Sequence, residues 1–146
     1  EFEAANELRP KKTSDYKKGG GFEYVGSIMP IEKYPECYRR GREISERHHI
    51  PYTVTGRCVG VGHSMMFAWT YAFNRADPRS IQHSRDALHE TDDLVMELGG
   101  VIWKPGTYGQ RIVRDRLDPN TRALMRRIKD ALDPAGIMNP GNWEGL

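Results

Sequence analysis

Cysteine is scarce in this chain: only Cys37 and Cys58 occur among 146 residues, and neither belongs to a CxxC pair. The usual spacing of a disulfide framework or a zinc knuckle is therefore missing. Disulfides persist in oxidising compartments, and a chain with so little cysteine is typical of a reducing one. We expect a cytoplasmic protein.

The sequence also lacks an apolar run long enough to cross a bilayer, and its polar start, EFEAANELRPKK, does not resemble a signal peptide. Lys and Arg number 22 against 20 Asp and Glu, which gives a formal net charge of +2. The two signs are interspersed, so no basic footprint for a nucleic acid stands out. We expect neither a membrane span nor a nucleic-acid partner.

The length of the chain limits what it can contain. With 146 residues, 38% of them hydrophobic, it is long enough for one domain with its own core. It is too short for a cofactor-binding domain and a substrate domain together. A glycine-rich phosphate motif of the Rossmann type is also missing.

Hydrophobic periodicity predicts six elements after a polar stretch. Residues 1–21 carry lysines and end in KKGGG, which is typical of a linker or tail. The predicted order is a strand (22–30), a helix (32–49), two strands (50–61 and 62–75), a helix (77–100) and a short strand (101–105). Asp77 is the expected N-cap of the second helix, and Pro78 suits its first turn.

This order of strands and helices is the split βαβ pattern of a ferredoxin-like fold. We therefore predict an α+β domain over residues 22–117, with an antiparallel sheet and helices on one of its faces. A loop at 106–115 and a last helix at 118–134 follow. The last helix carries three apolar side chains on one face: Leu124, Ile128 and Leu132. This helix and the tail lie outside the pattern and need another surface to pack on.

The end of the chain combines a basic helix with the motif LDPAGIMNPG. Upstream of it, in order, come a strand ending at Pro30, then YRRGREISERHHIPY, FNRADP and a helix ending in ELGG. From about Gly20 to Gly141, these motifs resemble the C-terminal, substrate-side domain of FAD-linked oxidases of the vanillyl-alcohol oxidase and p-cresol methylhydroxylase superfamily. The glycolate oxidase and D-lactate dehydrogenase flavoproteins share this ending.

The resemblance implies that the chain is the C-terminal part, or a subunit, of an FAD-dependent oxidoreductase. In that family the domain caps a separate FAD-binding domain, and the last helix and tail (118–146 here) cross back to it near the flavin ring. The implied partners are this FAD-binding domain, a small-molecule substrate, an electron-acceptor protein and further copies in an oligomer. Hydride would pass from an alcohol, a hydroxy acid or a para-substituted phenol to FAD.

Three tail residues are the expected cofactor-binding group: Asn139, Pro140 and Gly141. A Pro–Gly turn can bring backbone groups close to a ligand. The amide of Asn139 offers one acceptor and two donors, which suit the edge of a flavin. The alternative is that the motif only ends a helix and makes two turns.

The metal ligands of the hydroxy-acid dehydrogenase branch are missing as a set. Its Glu–His–Gly motif is replaced here by Pro105–Gly106, and its His–Ala–Gly–Asp–Gly pattern by RCVGVGHS at residues 57–64. We therefore expect no bound metal, and an ordinary D-2-hydroxy acid becomes a less favoured substrate.

The phenol-oxidising branch carries an adjacent Tyr–Arg pair that binds a phenolate oxygen, and here Tyr108 and Arg111 lie three apart. We predict both as catalytic and substrate-binding residues, because arginine is always charged and donates several hydrogen bonds. His63, expected at the start of a strand, is a third catalytic candidate, and Arg57 a further substrate-binding one. Each has a structural alternative, namely ring packing or a solvated charge.

A non-enzymatic function also fits the pattern. Ferredoxin-like modules serve many unrelated functions, so the chain could be a regulatory or assembly module with RALMRRIKDALDPAGIMNPG as its docking segment. A flavin-docking tail should require Asn139 and Gly141. A generic docking helix should depend instead on Leu124, Ile128 and Leu132.

Overall fold

Four strands form one antiparallel sheet in the computed structural model: β1 (Gly20–Pro30), β2 (Tyr52–Val59), β3 (Ser64–Asn74) and β4 (Val101–Ile102). Their order across the sheet is β2-β3-β1-β4, so the two longest strands lie at its centre. One helix follows β1 and another follows β3. This is the ferredoxin-like arrangement, and it confirms the predicted α+β fold.

The structure describes residues 20–146, which belong to two compact units, Glu1–Lys104 and Pro105–Leu146. The linker predicted at 1–21 lies outside the described residues, apart from its last two, which already pair with β3 as part of β1. The boundary predicted after residue 117 divides the chain by function, into a capping domain and a docking segment, and it stays a prediction.

Two helices of the first unit, α1 (Tyr34–Arg47) and α2 (Pro78–Glu97), lie on the same face of the sheet. A short 3-10 turn, Ile31–Lys33, leads into α1. The carboxylate of Asp77 caps α2 by accepting a backbone N–H at 3.0 Å, and Pro78 occupies the first helical turn. Both features of this helix start were predicted.

The core of the first unit lies between the sheet and these two helices. Phe67, Trp69 and Tyr71 of β3 are at most 1% exposed. Trp69 packs against the backbone of Gly41 in α1, where a Cβ would come within 2.3 Å of the indole ring. The hydroxyls of Tyr71 and Thr91 share a hydrogen bond of 2.7 Å. The larger side chains of β3 therefore form the core.

The second unit contains a helix where a loop was predicted. Residues 106–115 do not form a loop, because α3 (Thr107–Asp115) begins with the Gln110 N–H donating to the Gly106 carbonyl at 2.8 Å. A glycine inside a helix lowers its intrinsic propensity, and Gly109 therefore weakened the helical signal. Gly109 is buried, so packing stabilises α3 in spite of that propensity.

The last helix of the second unit, α4 (Pro119–Leu132), begins and ends close to its predicted bounds. The carboxylate of Asp118 caps it by accepting the N–H groups of Asn120 and Thr121, at 2.9 and 3.1 Å. A tail of consecutive turns follows. None of the helices among residues 20–146 is both long and apolar enough to span a membrane.

Candidate functional site

The first unit contains two of the predicted site residues, His63 and Arg57. His63 was expected to begin a strand, but β3 begins at Ser64 and His63 lies in the preceding turn. The glycines Gly60 and Gly62 adopt φ values of 63° and 93° in this turn, which keeps the strand from extending back to His63. Its side chain is exposed, and its carbonyl accepts a backbone N–H at 3.1 Å. The turn, and not the sheet, therefore positions this histidine.

Arg57 lies on β2 in register with Met66 of β3, and Met66 pairs in turn with Ile28 of β1. Residues in register share one face of a sheet. This face is opposite to Phe67 and its core neighbours, so neither α1 nor α2 lies on it. Within residues 20–146, the guanidinium of Arg57 makes no ion pair or hydrogen bond.

The same face of the sheet, opposite α1 and α2, carries several large apolar side chains with considerable exposure. Phe22, Ile28, Val101 and Trp103 are 56%, 39%, 60% and 48% exposed. Arg57 was predicted as a site residue on this face, but these apolar side chains were not. The signal was present in the alternation of β1, FEYVGSIM, which places apolar residues on both of its faces. A contiguous exposed apolar patch marks an interaction or ligand-binding surface.

Tyr108 and Arg111 lie in the second unit, on α3. Residues three apart on a helix are neighbours, so the helix brings together two side chains that a loop would not have paired. Tyr108 is half-buried, whereas Arg111 is exposed and lies 3.7 Å from the carboxylate of Glu144. The pair is thus a phenol and a guanidinium on one side of a helix, suited to bind an anionic oxygen.

The predicted cofactor-binding residues form a tight turn in the tail. Asn139 and Gly141 have φ values of 48° and 83°, and the N–H of Asn142 donates to the Asn139 carbonyl at 3.1 Å. The side-chain amide of Asn139 makes no hydrogen bond within residues 20–146. It is therefore available to a ligand or partner.

Asn139 also borders a surface concavity of about 360 Å³ in the second unit. Lys129 and Trp143 line the same concavity, and neither was predicted as a site residue from the sequence. An ammonium group, an amide and an indole ring together suit a flat, hydrogen-bonding heterocycle such as the edge of a flavin. The concavity is too open and too small for a whole dinucleotide, which needs further protein around it.

The tail of the second unit is held by its own helices. Gln110 of α3 donates to the side chain of Asn142 at 3.0 Å and accepts the backbone N–H of Trp143 at 2.8 Å. Three arginines donate to the last three backbone carbonyls of the chain: Arg114, Arg122 and Arg126. The tail is therefore ordered within this unit, before any partner binds.

The apolar side chains beside this tail point outward. On α4 they are the three predicted ones, Leu124, Ile128 and Leu132, which are 56%, 51% and 73% exposed. In the tail, Ile137 and Met138 are 76% and 53% exposed. A helix in a folded protein normally buries its apolar stripe, so this surface, here called the α4–tail surface, is typical of an interface.

A buried carboxylate in α2 was also missed. Asp92 is 7% exposed, and burial, together with the charge of neighbouring Asp93, raises its pKa to about 7. Asp92 makes no ion pair within residues 20–146. Among those residues, no group of three or more His, Cys, Asp or Glu side chains is placed to hold a metal ion.

Comparison with known families gives a match over most of the chain. The family model described as FAD linked oxidases, C-terminal domain, matches residues 18–143. An uncharacterized FAD-linked oxidoreductase of Mycobacterium tuberculosis (strain ATCC 25618 / H37Rv) is 29% identical over 140 residues, which is 92% of this chain and 28% of that protein. The D-lactate dehydrogenase of Archaeoglobus fulgidus is 31% identical over 123 residues, or 82% of this chain and 26% of that one.

A solved structure is similar as well. The 4-ethylphenol oxidase from Gulosibacter chungangensis, in complex with isoeugenol, superposes with a TM-score of 0.74 and 26% sequence identity. The similarity covers 87% of this chain and 25% of the oxidase. In each of these comparisons the chain spans about a quarter of the relative.

Proposed function

Since this chain belongs to the FAD-linked oxidases, as a C-terminal domain of that family, we propose that it forms the substrate-side part of an FAD-dependent oxidoreductase. The relatives are three to four times as long as this chain, which covers only 28%, 26% and 25% of them. The remainder, here called the FAD-binding part, would hold the dinucleotide. It is either a further segment of the same protein or a second subunit.

The α4–tail surface is the observation that carries this proposal. Five large apolar side chains on it are more than half exposed, although the backbone N–H groups of two of them, Ile137 and Met138, donate to the Asp133 carboxylate. Burying such a surface contributes roughly 25 cal/mol per Å² of apolar area. The FAD-binding part is the partner that the family requires, and we propose that it covers this surface.

The Asn139 turn would then lie at the flavin. The unpartnered amide of Asn139 would hydrogen-bond the flavin edge, and Pro140 and Gly141 would allow close approach of the backbone. FAD, when bound, accepts the hydride of the substrate. The tail residues orient the ring and exclude water from it.

We propose that the substrate is an alcohol, a hydroxy acid or a para-substituted phenol. Arg111 and Tyr108 would hold the substrate oxygen, and the charge of Arg111 would stabilise that oxygen as an anion. The roles predicted for His63 and Arg57, which lie in the first unit, stay predictions. The names of two relatives, a D-lactate dehydrogenase and a 4-ethylphenol oxidase, fall within these classes.

The cellular setting is part of the same proposal. Cys37 and Cys58 are both free, which supports a reducing compartment such as the cytoplasm. The electrons would pass from FAD to an acceptor protein or to another carrier, and the flavoprotein would assemble as an oligomer.

The test is to combine the chain with the separately produced, FAD-loaded FAD-binding part and to follow anaerobic bleaching of the flavin. We expect rapid bleaching by a hydroxy acid or a phenol only when the chain is present. Asn139→Ala should slow it, whereas Asn120→Ala, in the first turn of α4, should not. If the chain associates with no flavin-binding protein, and only Leu124→Ser or Leu132→Ser affects its interactions, it is a non-catalytic docking module.

A further inference from the structure

The carboxylate of Asp133 lies almost completely buried at the end of α4, with 3% of the side chain exposed. Its two oxygens accept the backbone N–H groups of Ile137 at 2.9 Å and Met138 at 3.0 Å. Lys129, one turn earlier, donates to the same carboxylate and to the Met138 carbonyl, the latter at 2.8 Å. The backbone at Ile137 and Met138 is thereby fixed at three points.

A carboxylate is an unfavourable group at this place. It faces the negative end of the α4 dipole, and burial of a charge costs free energy unless it is paired and hydrogen-bonded. The hydrogen bond from Lys129 holds the pKa of Asp133 below its ordinary value, so the group is charged at neutral pH. Ending the helix does not require a carboxylate, because the following Pro134 already disfavours the helical conformation at residue 133.

The residues that Asp133 fixes are the most outward-facing apolar part of the tail. Ile137 is 76% exposed and Met138 is 53% exposed, although the backbone N–H groups of both donate to the Asp133 carboxylate. A flexible loop with these side chains would lose conformational entropy on binding a partner. A loop that is already fixed avoids most of that loss, which is how preorganisation raises affinity.

We propose that Asp133 and Lys129 are positioning residues, which hold Ile137 and Met138 in the conformation that docks on the FAD-binding part. This inference rests on the proposed function, because the partner is the one named there. We call the two residues and their hydrogen bonds the Asp133 lock. Without the lock, docking should weaken by about tenfold or more, since the loop must then be ordered at the moment of binding.

The lock itself is tested on the chain alone by amide hydrogen exchange. In the wild-type chain the Ile137 and Met138 amides should exchange slowly, and Asp133→Asn should make them exchange at least tenfold faster. The matched control is Asp130→Asn, since Asp130 is an exposed aspartate of the same helix whose carboxylate only approaches Arg126, at 3.6 Å. Equal protection in both variants would overturn the lock.

The docking role is tested by titrating the chain against the FAD-binding part and measuring the dissociation constant. Asp133→Asn should raise it about tenfold or more, Asp130→Asn should leave it unchanged, and Lys129→Arg should retain more affinity than Lys129→Met. In an Ile137→Ser, Met138→Ser background, Asp133→Asn should add little, because it acts through these two residues.

The outcomes separate the inference from the function on which it rests. If the wild-type chain binds and Asp133→Asn binds equally well, or if its effect is fully additive with the Ile137 and Met138 changes, the positioning role is wrong while the proposed function stands. If the wild-type chain fails to bind any flavin-binding partner, the proposed function is wrong and the docking role fails with it.

Discussion

The indole of Trp103 lies directly against Gly26 on the face of the sheet opposite α1 and α2. A Cβ atom at position 26 would lie 1.7 Å from the indole Nε1, and the backbone N–H of Trp103 donates to the Gly26 carbonyl at 3.0 Å. The ring is nevertheless 48% exposed. One side of it therefore covers β1 while the other remains available to a partner or substrate.

Gly26→Ala should displace the Trp103 ring, because the new methyl group has no space beneath it. We expect a loss of about 1–3 kcal/mol in the free energy of unfolding, together with more effective quenching of tryptophan fluorescence by iodide. The control is Gly56→Ala on β2, where the Cβ would meet chiefly the flexible end of Met65. Equal denaturation midpoints for the two variants would contradict this packing.

Gln110→Ala should release the end of the tail, because the Gln110 amide bonds to both Asn142 and Trp143. We expect faster hydrogen exchange at the Trp143 amide and faster proteolysis of the tail, with a cost of about 1–3 kcal/mol to local stability. Gln82→Ala is the control, since the side chain of Gln82 donates to Asp86, one turn along its own helix. Unchanged exchange at Trp143 would show that the arginines alone hold the tail.

Asp92 should make stability fall as the pH rises through the mildly acidic range. Burial raises its pKa to about 7 in the folded chain, whereas the unfolded carboxyl titrates near 4. Between these values only the unfolded state loses the proton, so unfolding becomes easier up to about pH 7 and no further. Asp92→Asn should remove this slope and stabilise the chain at pH 8 by at most about 4 kcal/mol.

Thermal unfolding midpoints measured from pH 4 to pH 8 check this prediction. Asp130→Asn is the matched control, because Asp130 is exposed. If the wild-type chain and both variants show the same pH dependence, Asp92 does not titrate as its burial predicts.

Arg111→Met should impair the reaction of the flavoprotein with substrates whose oxygen becomes anionic. Loss of one charged donor to such an oxygen typically costs about 10²–10³ in rate. Tyr108→Phe should have a smaller effect, because one hydrogen bond is lost and the ring remains. Arg116→Met is the control, an exposed arginine just past α3. Stopped-flow flavin reduction gives the rates, and equal loss in both arginine variants would argue against a site at Arg111.

Much of the fold was predictable because its signals are local. The alternation of apolar residues located β1 and β3, and the Asp77–Pro78 pair located the start of α2. The α3 helix was missed because its stability comes from packing, and Gly109 argues against a helix when only propensity is considered.

The site was less predictable, because its geometry depends on contacts between elements. Tyr108 and Arg111, three residues apart, are neighbours only because Thr107–Asp115 forms a helix. His63 was predicted to begin a strand, but that strand begins one residue later, at Ser64. The roles of Asp133 and Lys129 depend on hydrogen bonds to the tail backbone, and the hydrophobic periodicity of a sequence does not reveal such bonds.

The visible absorption spectrum of this chain, purified from its native source with whatever accompanies it, tests the central claim most directly. We expect the bands of oxidised flavin in the same chromatographic peak, and their bleaching when a hydroxy acid or a phenol is added without oxygen. A colourless peak that contains the chain and no flavin-binding partner would contradict its place in an FAD-dependent oxidoreductase.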